Sequence, residues 1–526
     1  MTTGWSFPYA SRRMPVLARN VVATTQPLAA QAGLRMLLKG GSAVDAAIAT
    51  AITLTVVEPT MNGIGSDAFA LIWDGRNLHG MNASGPSPAA WTAERFAGRA
   101  AMPTEGWDAV TVPGAVSAWA ALSKRFGKLP FPALFEPAID YARNGFPISP
   151  TVALQWQTQL PRVKDQPGFA QAFMREGRAP LAGEIFRFPE QANTLEQIAQ
   201  SGGESFYRGA LAEKMASFSH ECGGMMTAKD LGAFQPEWVT PLGQNYRGAR
   251  VHEIPPNGQG IAALIALGIL ENFELDDPDS ARCLHLQIEA MKLAFADVYQ
   301  HVADPEAMTV KSGQLLNPAY LKTRARLIKT DRAAHPDSGH PPASGTVYLT
   351  AADAQGNMVS YIQSNYTGFG SGVVVLGTGI SLQNRGHGFS LTKGHPNVVA
   401  GGKRPFHTII PGFLTRDGQA MMSFGVMGGD MQPQGHLQMV SRVIDGGLNP
   451  QAAADAPRWK IAKDGSLRVE AAFPEATARQ LEQWGHRLSR APADSMEFGA
   501  AQMILRQNDA YLAASEPRRD GQAVGF

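Results

Sequence analysis

Hydrophobic and polar positions recur with two different periods along this chain. Up to about residue 345 the helical period dominates. "TTQPLAAQAGLRMLLKGGSAVDAAIATAITLTVVEP" predicts two helices, with Pro27 in a first turn, Gly40-Gly41 closing the first helix and Ser42 capping the second. The second helix gathers Ala43, Ala46, Ala47, Ala49 and Ala51, small residues that let a neighbour approach tightly. Phe69–Trp73 and Leu78–Asn82 flank "DGRN" and predict a hairpin. Helical patterns follow around 115–126, 132–144, 260–272 and 285–302. Beyond residue 346 the alternation of strands takes over, until a helix near 437–445. Helices first and strands later predict an α+β fold.

Composition narrows the classes. The 526 residues exceed the usual size of one core, so length alone predicts two or three domains. Lys+Arg 46 against Asp+Glu 45 leaves no electrostatic pull toward nucleic acid or an anionic membrane. The first twenty residues hold no signal-peptide core, and the apolar run 43–57 is too short to span a bilayer and is broken by Asp45 and three threonines. Only Cys222 and Cys283 occur, read as two buried free thiols in a reducing cytosol. A cytoplasmic, soluble protein is expected. No fixed-period repeat, HExxH, Cys/His ligand spacing or GxxxxGK[ST] is present, so neither metal nor nucleotide cofactor is expected.

Candidate chemistry starts where "HPDSGHPPASG", His335 to Gly345, gives way to strand. The segment is rich in proline, glycine and serine, and mobility is expected there. Two strand-like runs follow, Thr346–Ala352 and Met358–Ser364, joined by "DAQGN". A turn centred on Gln355 sets Thr346 opposite Ser364, with β-carbons roughly 4.5–5.5 Å apart; a slip of one residue would undo this. A threonine hydroxyl needs an adjacent base. One source is its own α-amine, freed by cutting the Gly345–Thr346 bond and titrating at about 7.7–8.0. Gly345 permits the strained backbone such a cut requires. An isolated Gly-Thr before a strand equally reflects the β-propensity of threonine. Downstream, "SFGVMGGDMQPQGH" places Gly428 and Gly429 after a strand. Two N–H groups there can converge on a developing oxyanion, although a tight strand-to-helix turn explains the glycines too.

Several stretches together resemble the γ-glutamyltransferase family of N-terminal-nucleophile hydrolases: "QPLAAQAGLRMLLKGGSAVDAAIA", "VEPTMNGIGSDAFALIW", "VPGAVSAWAALSKRFGKL", "IPPNGQG", "HLQIEAMKLAFAD", "GGKRPFHTIIP" and "GVMGGDMQPQGH". The resemblance spans essentially the whole chain and replaces the length-based domain count. It implies a four-layer αββα sandwich, made as a proenzyme that cuts itself into a large subunit, residues 1–345, and a small subunit, residues 346–526, sharing one structural domain. It also implies Thr346 as nucleophile, Ser364 in the place of a supporting second threonine, and Gly428 and Gly429 as oxyanion-hole glycines. A dimer of such heterodimers is left open.

The departures from the family pattern concern the substrate. Ser84 stands where the family has an arginine, Tyr366 for an asparagine, Arg385 for a glutamine and Gly388 for the aspartate that grips an ammonium; His407 and Thr408 replace paired serines. Losing the ammonium-binding carboxylate and gaining a guanidinium suits a small amide that bears a carboxylate, as in the branch of the family acting on oxamate in purine-ring degradation. Arg385, His407, Thr408 and Tyr366 are thus the expected substrate-binding residues. Arg385 paired with a structural acid and His407 as a satisfied core histidine are the plainer alternatives. A γ-glutamyl hydrolase or transferase, a β-lactam side-chain acylase and an unprocessed binding scaffold are the rival readings.

Overall fold

Two antiparallel sheets of seven strands each lie face to face in the computed structural model, which describes residues 12–275, 277–334 and 345–526. The segment 335–344, where mobility is expected, lies outside the described residues. One sheet runs, edge to edge, through Gln522–Gly525, Val21–Thr24, Gly345–Ala352, Asn357–Tyr366, Asp67–Asp74, Leu78–Ala83 and Glu237–Val239. The other runs through Val16–Ala18, Ala510–Ala514, Ala500–Gln507, Gln419–Met427, Gly412–Arg416, Ala249–Glu253 and Leu242–Tyr246. Each sheet therefore mixes strands from both halves of the chain. The linear order of helices before strands does not survive as a spatial division, and neither does a split into two or three domains.

Side-chain alternation sorts the layers. Val347, Leu349 and Ala351 join a cluster with the helices Ala43–Val57 and Ala115–Phe126 on the outer face of the first sheet. Tyr348 and Ala352 point the other way, into a core shared with Phe413, Met427 and Ile504 of the second sheet. Met422, Phe424 and Val426 face outward against helices Ile261–Leu270, Ala281–His301 and Met431–Ile444. The result is helix, sheet, sheet, helix. Strands with two apolar faces are what a sheet buried on both sides requires.

Local chemistry positions the first sheet's helix layer. Ser42 and Asp45 form a reciprocal capping box, worth roughly 1 kcal/mol for the cap. The next N–H, of Ala43, donates to Asp353 in the turn of the hairpin 345–366 at 2.8 Å, so the positive end of this helix holds that turn. Close helix approach, expected from the alanines, is met at Gly33, where a Cβ would come within 2.3 Å of Thr50 Oγ1.

Two expectations are corrected. The helix expected near residue 437 begins at Met431, because Pro433 fits its first turn and Gly435 lies so close to Val426 that a Cβ would approach it at 2.5 Å. The residues "QPQG" read as a turn only without that neighbour. Of the two cysteines, Cys283 is buried but Cys222 is exposed, at the end of a surface helix. Among the described residues no helix is long and apolar enough to cross a membrane.

Candidate active site

The register of the hairpin decides where the threonine goes. Val347 pairs with Gln363, Leu349 with Tyr361 and Ala352 with Met358, as a turn centred on Gln355 requires, while an irregularity between Gly345 and Val347 shifts Gly345 onto Tyr366. On the even-numbered face, Thr346 and Ser364 both point between the sheets, and Thr346 Oγ1 donates to Ser364 Oγ at 3.1 Å. On the adjoining strand Ser364 pairs with Asp67. Three polar residues thus stand side by side at the end of that face, and all three are buried.

Across the interface, Thr350 Oγ1 lies 2.6 Å from Ser423 Oγ, and a Cβ on Gly425 would meet the Tyr348 ring at 2.4 Å. Two residues beyond Gly425 this strand ends at Met427, and the glycine pair follows. Gly428 and Gly429 have φ of 131° and 63°, conformations that favour glycine. The strand that begins at the nucleophile candidate and the strand that ends at the glycine pair thus belong to the two facing sheets.

A chain of contacts closes around them. Ser364 Oγ accepts the N–H of Tyr366 at 2.8 Å, and Tyr366 itself sits at φ 80°, a strained value for a non-glycine residue. Its ring lies under the Arg385 guanidinium, 4.7 Å from the ring centre. Arg385 Nη1 donates to Thr408 Oγ1 at 2.8 Å. The Thr408 carbonyl accepts from Gln259 Nε2 at 2.7 Å, and the same nitrogen donates to the Gly429 carbonyl at 2.7 Å. Gln259 thereby ties the glycine turn to the arginine.

Arg385 is buried, yet Nε and Nη2 have no hydrogen-bond partner, and among the described residues no carboxylate pairs with it. Burial lowers its pKa to about 10, with Asp67 and Tyr366 acting against the shift. A buried guanidinium with two open donors can receive an anion. Asp67 is pushed up to about 7 by burial, against the pull of Arg385. It accepts from Gly114 N–H at 3.1 Å and lies 3.0 Å from His407 Nε2. His407 Nδ1 accepts the N–H of Ile409 at 3.4 Å, so both ring nitrogens are engaged within the protein. Burial, then the charge of Arg385, hold His407 neutral.

The positions of departure are also placed. Ser84 Oγ donates to Asn82 Oδ1 at 2.7 Å and is enclosed with Asn257. At Gly388 a Cβ would fall 2.4 Å from the Phe406 carbonyl oxygen, so this backbone has no room for a longer side chain there. Asp67, Gln259 and Asn257 were not singled out from sequence; the stretches "GSDAFA" and "IPPNGQG" carried them, but their pairing depends on strands far apart in the chain. Beside Gly428 opens a cleft of about 370 Å³, lined among others by Met61, Arg162, Thr367, Lys460 and Arg519.

Comparison with known proteins agrees with this fold. The gamma-glutamyltranspeptidase family model matches residues 29–526. The chain is 37% identical to the glutathione hydrolase-like YwrD proenzyme of Bacillus subtilis, covering 97% of this chain and 98% of that protein. It is 36% identical to the oxamate amidohydrolase proenzyme of Klebsiella pneumoniae, covering 95% and 97%. The crystal structure of cephalosporin acylase from Bacillus halodurans superimposes with a TM-score of 0.96 at 50% identity, covering 100% of this chain and 99% of that one. The α+β sandwich of two sheets between helix layers is accordingly the N-terminal-nucleophile hydrolase fold, and the chain belongs to the gamma-glutamyltranspeptidase family.

Proposed function

We propose that this protein is a proenzyme that cleaves itself between Gly345 and Thr346 and then hydrolyses amides whose acyl group carries a carboxylate, oxamate being the smallest member. The observation that carries the substrate class is Arg385: buried, stacked on Tyr366, held by Thr408 and left with two open donors. The relatives named proenzymes support the cleavage.

In the precursor, Thr346 Oγ1 attacks the Gly345 carbonyl carbon; the C–N bond breaks, the freed amine takes the proton, and water hydrolyses the resulting ester. The new α-amine then serves as the base for the same hydroxyl. With substrate bound, Oγ1 attacks the amide carbon, the amine accepts its proton, and the N–H groups of the Gly428-Gly429 turn receive the oxyanion. Collapse expels ammonia with that proton, and water releases the acid from Thr346. Ser364 orients the hydroxyl. Arg385 grips the substrate carboxylate, with Thr408 and Tyr366 fixing the guanidinium. His407 acts indirectly, by holding Asp67. The cytoplasm is the proposed location.

A second reading, an acylase that releases a larger amine, is favoured by the cleft of about 370 Å³ beside Gly428, far more space than ammonia needs. The structural relative titled cephalosporin acylase points the same way. The two readings share the nucleophile and the carboxylate site and differ only in the leaving group. Ammonia or amine release from oxamate, oxamide, glutaryl-7-aminocephalosporanic acid and γ-glutamyl-p-nitroanilide separates them. Turnover of oxamate with little from oxamide is the expected result. Efficient turnover of the γ-glutamyl compound, whose acyl group adds an ammonium to the carboxylate, with oxamate and the glutaryl amide untouched, would overturn the assignment.

A further inference from the structure

At the helix Ala281–His301, three buried side chains converge without a part in the chemistry above: His285, Glu289 and His486. One ligand atom from each lies within 4.8 Å of the others. His285 and Glu289 are one turn apart on the helix Ala281–His301, and His486 follows the helix Glu475–Gln483. The first two belong to residues 1–345 and the third to residues 346–526. Ligand spacing in the sequence hides such a set, because one member comes from the other end of the chain.

We propose that these residues form a site for a zinc-class divalent cation that fastens the two portions of the chain to each other. The tautomer of His285 is fixed from outside. Its Nε2 lies 2.7 Å from the Lys329 carbonyl, which only accepts, so that nitrogen carries the hydrogen and Nδ1 turns a lone pair toward His486 Nε2, 2.8 Å away. An imidazole that donates its far N–H to a carbonyl is the arrangement that orients histidine ligands on metals. Glu289 completes the set. Its Oε1 accepts from Lys292 Nζ at 2.7 Å and its Oε2 from the Ala334 N–H at 2.9 Å, which orients the carboxylate while each oxygen keeps a second lone pair.

Two imidazoles and one carboxylate are a donor set that zinc takes in tetrahedral geometry, with a fourth position for water. Metal–nitrogen bonds of about 2.0–2.1 Å at a tetrahedral angle set two nitrogens roughly 3.4 Å apart. The pair therefore opens by about half an ångström when the ion replaces the proton between the rings, and that proton leaves to solvent. The surroundings hold the pieces in register: the Ala333 N–H donates to the Trp484 carbonyl at 2.7 Å, Lys292 also donates to the Ala334 carbonyl, and the Trp484 ring packs on His285. The ion thus joins the stretch leading to the cleavage bond with the turn 484–486. The fastening role rests on cleavage at Thr346; the ion site itself does not.

The test uses full-length protein stripped with a chelator and titrated with cobalt chloride and, separately, zinc chloride. Wild type should take up one cobalt per chain with the intense visible bands of a four-coordinate ion, and zinc should displace it and raise the Tm. His285→Ala and His486→Ala should lose the bands and the zinc-dependent rise in Tm. His486→Gln provides a milder change should the alanine variants fold poorly. The Thr346→Ala precursor should bind cobalt as wild type does, so failure of the cleavage reading shows on a denaturing gel and failure of this one in the cobalt spectrum. No saturable cobalt uptake by stripped wild type, or equal uptake by the folded histidine variants, would leave only a proton-bridged histidine pair and overturn the proposal.

Discussion

At the residue scale, the hydroxyl of Thr346 is asked to do two things, and substitutions separate them. Thr346→Ala should remain a single chain without activity, while Thr346→Ser should still divide into two chains with a new N-terminal Ser-Val-Tyr-Leu, read by gel and N-terminal sequencing. Ser364→Ala removes a hydrogen-bond partner of that hydroxyl. A bond worth about 0.5–1.5 kcal/mol predicts roughly a tenfold fall in kcat/KM. Arg385→Ala should lower kcat/KM on oxamate by about ten- to a hundredfold, the range for a hydrogen bond to a charged group, while chain cleavage proceeds. Arg385→Lys should restore part of it, since lysine keeps charge but not the fork. Asp67 makes the site pH-sensitive. Burial holds its carboxyl at about 7, so below that pH it is neutral and the positive charge of Arg385 is unopposed. Above it, an ionised Asp67 competes with the substrate carboxylate. KM for an anionic amide should rise as pH passes upward through about 7, and the rise should vanish in Asp67→Asn.

At the element scale, the site is made by strand ends and one turn rather than by any single motif. The hairpin delivers Thr346 and Ser364 on one face, the adjoining strand adds Asp67, and the opposite sheet presents the two glycines. Gln259 is the clamp between the glycine turn and Thr408. Gln259→Ala leaves two buried carbonyls without that donor, at about 1–3 kcal/mol each. Both kcat and the affinity for carboxylate substrates should fall, measured by steady-state kinetics on oxamate. A substitution that lowered stability without touching either constant would remove Gln259 from the site. The hairpin itself was legible in the sequence because turn chemistry and alternation are local; its register was not fixed there, and the pairing centred on Gln355 holds from Val347 to Ala352 but breaks at Gly345. The start of the helix at Met431 was not, since only the packing of Gly435 on Val426 shows that "QPQG" continues as helix.

At the scale of the whole molecule, a buried ionic cluster joins the C-terminal stretch to the second sheet's helix layer. Glu516 accepts from Arg458 Nη2 at 2.8 Å, from Arg518 Nη1 at 2.8 Å and from the Ala501 N–H at 2.6 Å. Burial alone would raise its pKa, but Arg458 and Arg518 outweigh that and hold it at about 2. A depressed carboxyl favours the folded state above its ordinary pKa of 4.5, and that contribution is lost as pH falls toward 2. Glu516→Gln should lose about 3–5 kcal/mol at neutral pH, because Arg458 stays buried with its charge uncompensated. Its stability should also fall less steeply than that of wild type between pH 4.5 and 2, measured by denaturant unfolding.

The sequence by itself determined the short-range parts of this protein: the capped helix at Ser42, the hairpin at 67–83, the turn at Gln355, the glycine pair and, through resemblance along its length, the family. The local parts depend on residues a few positions apart, where spacing alone sets geometry. Tertiary structure decided how those parts share a site. The stacking of two sheets brought Gln259 to Gly429 and Asp67 beside both Ser364 and His407. It also left two nitrogens of Arg385 without a partner, the feature on which the substrate reading turns. Burial and unmet hydrogen bonds are properties of a neighbourhood, and residues hundreds of positions apart become neighbours only when the layers close.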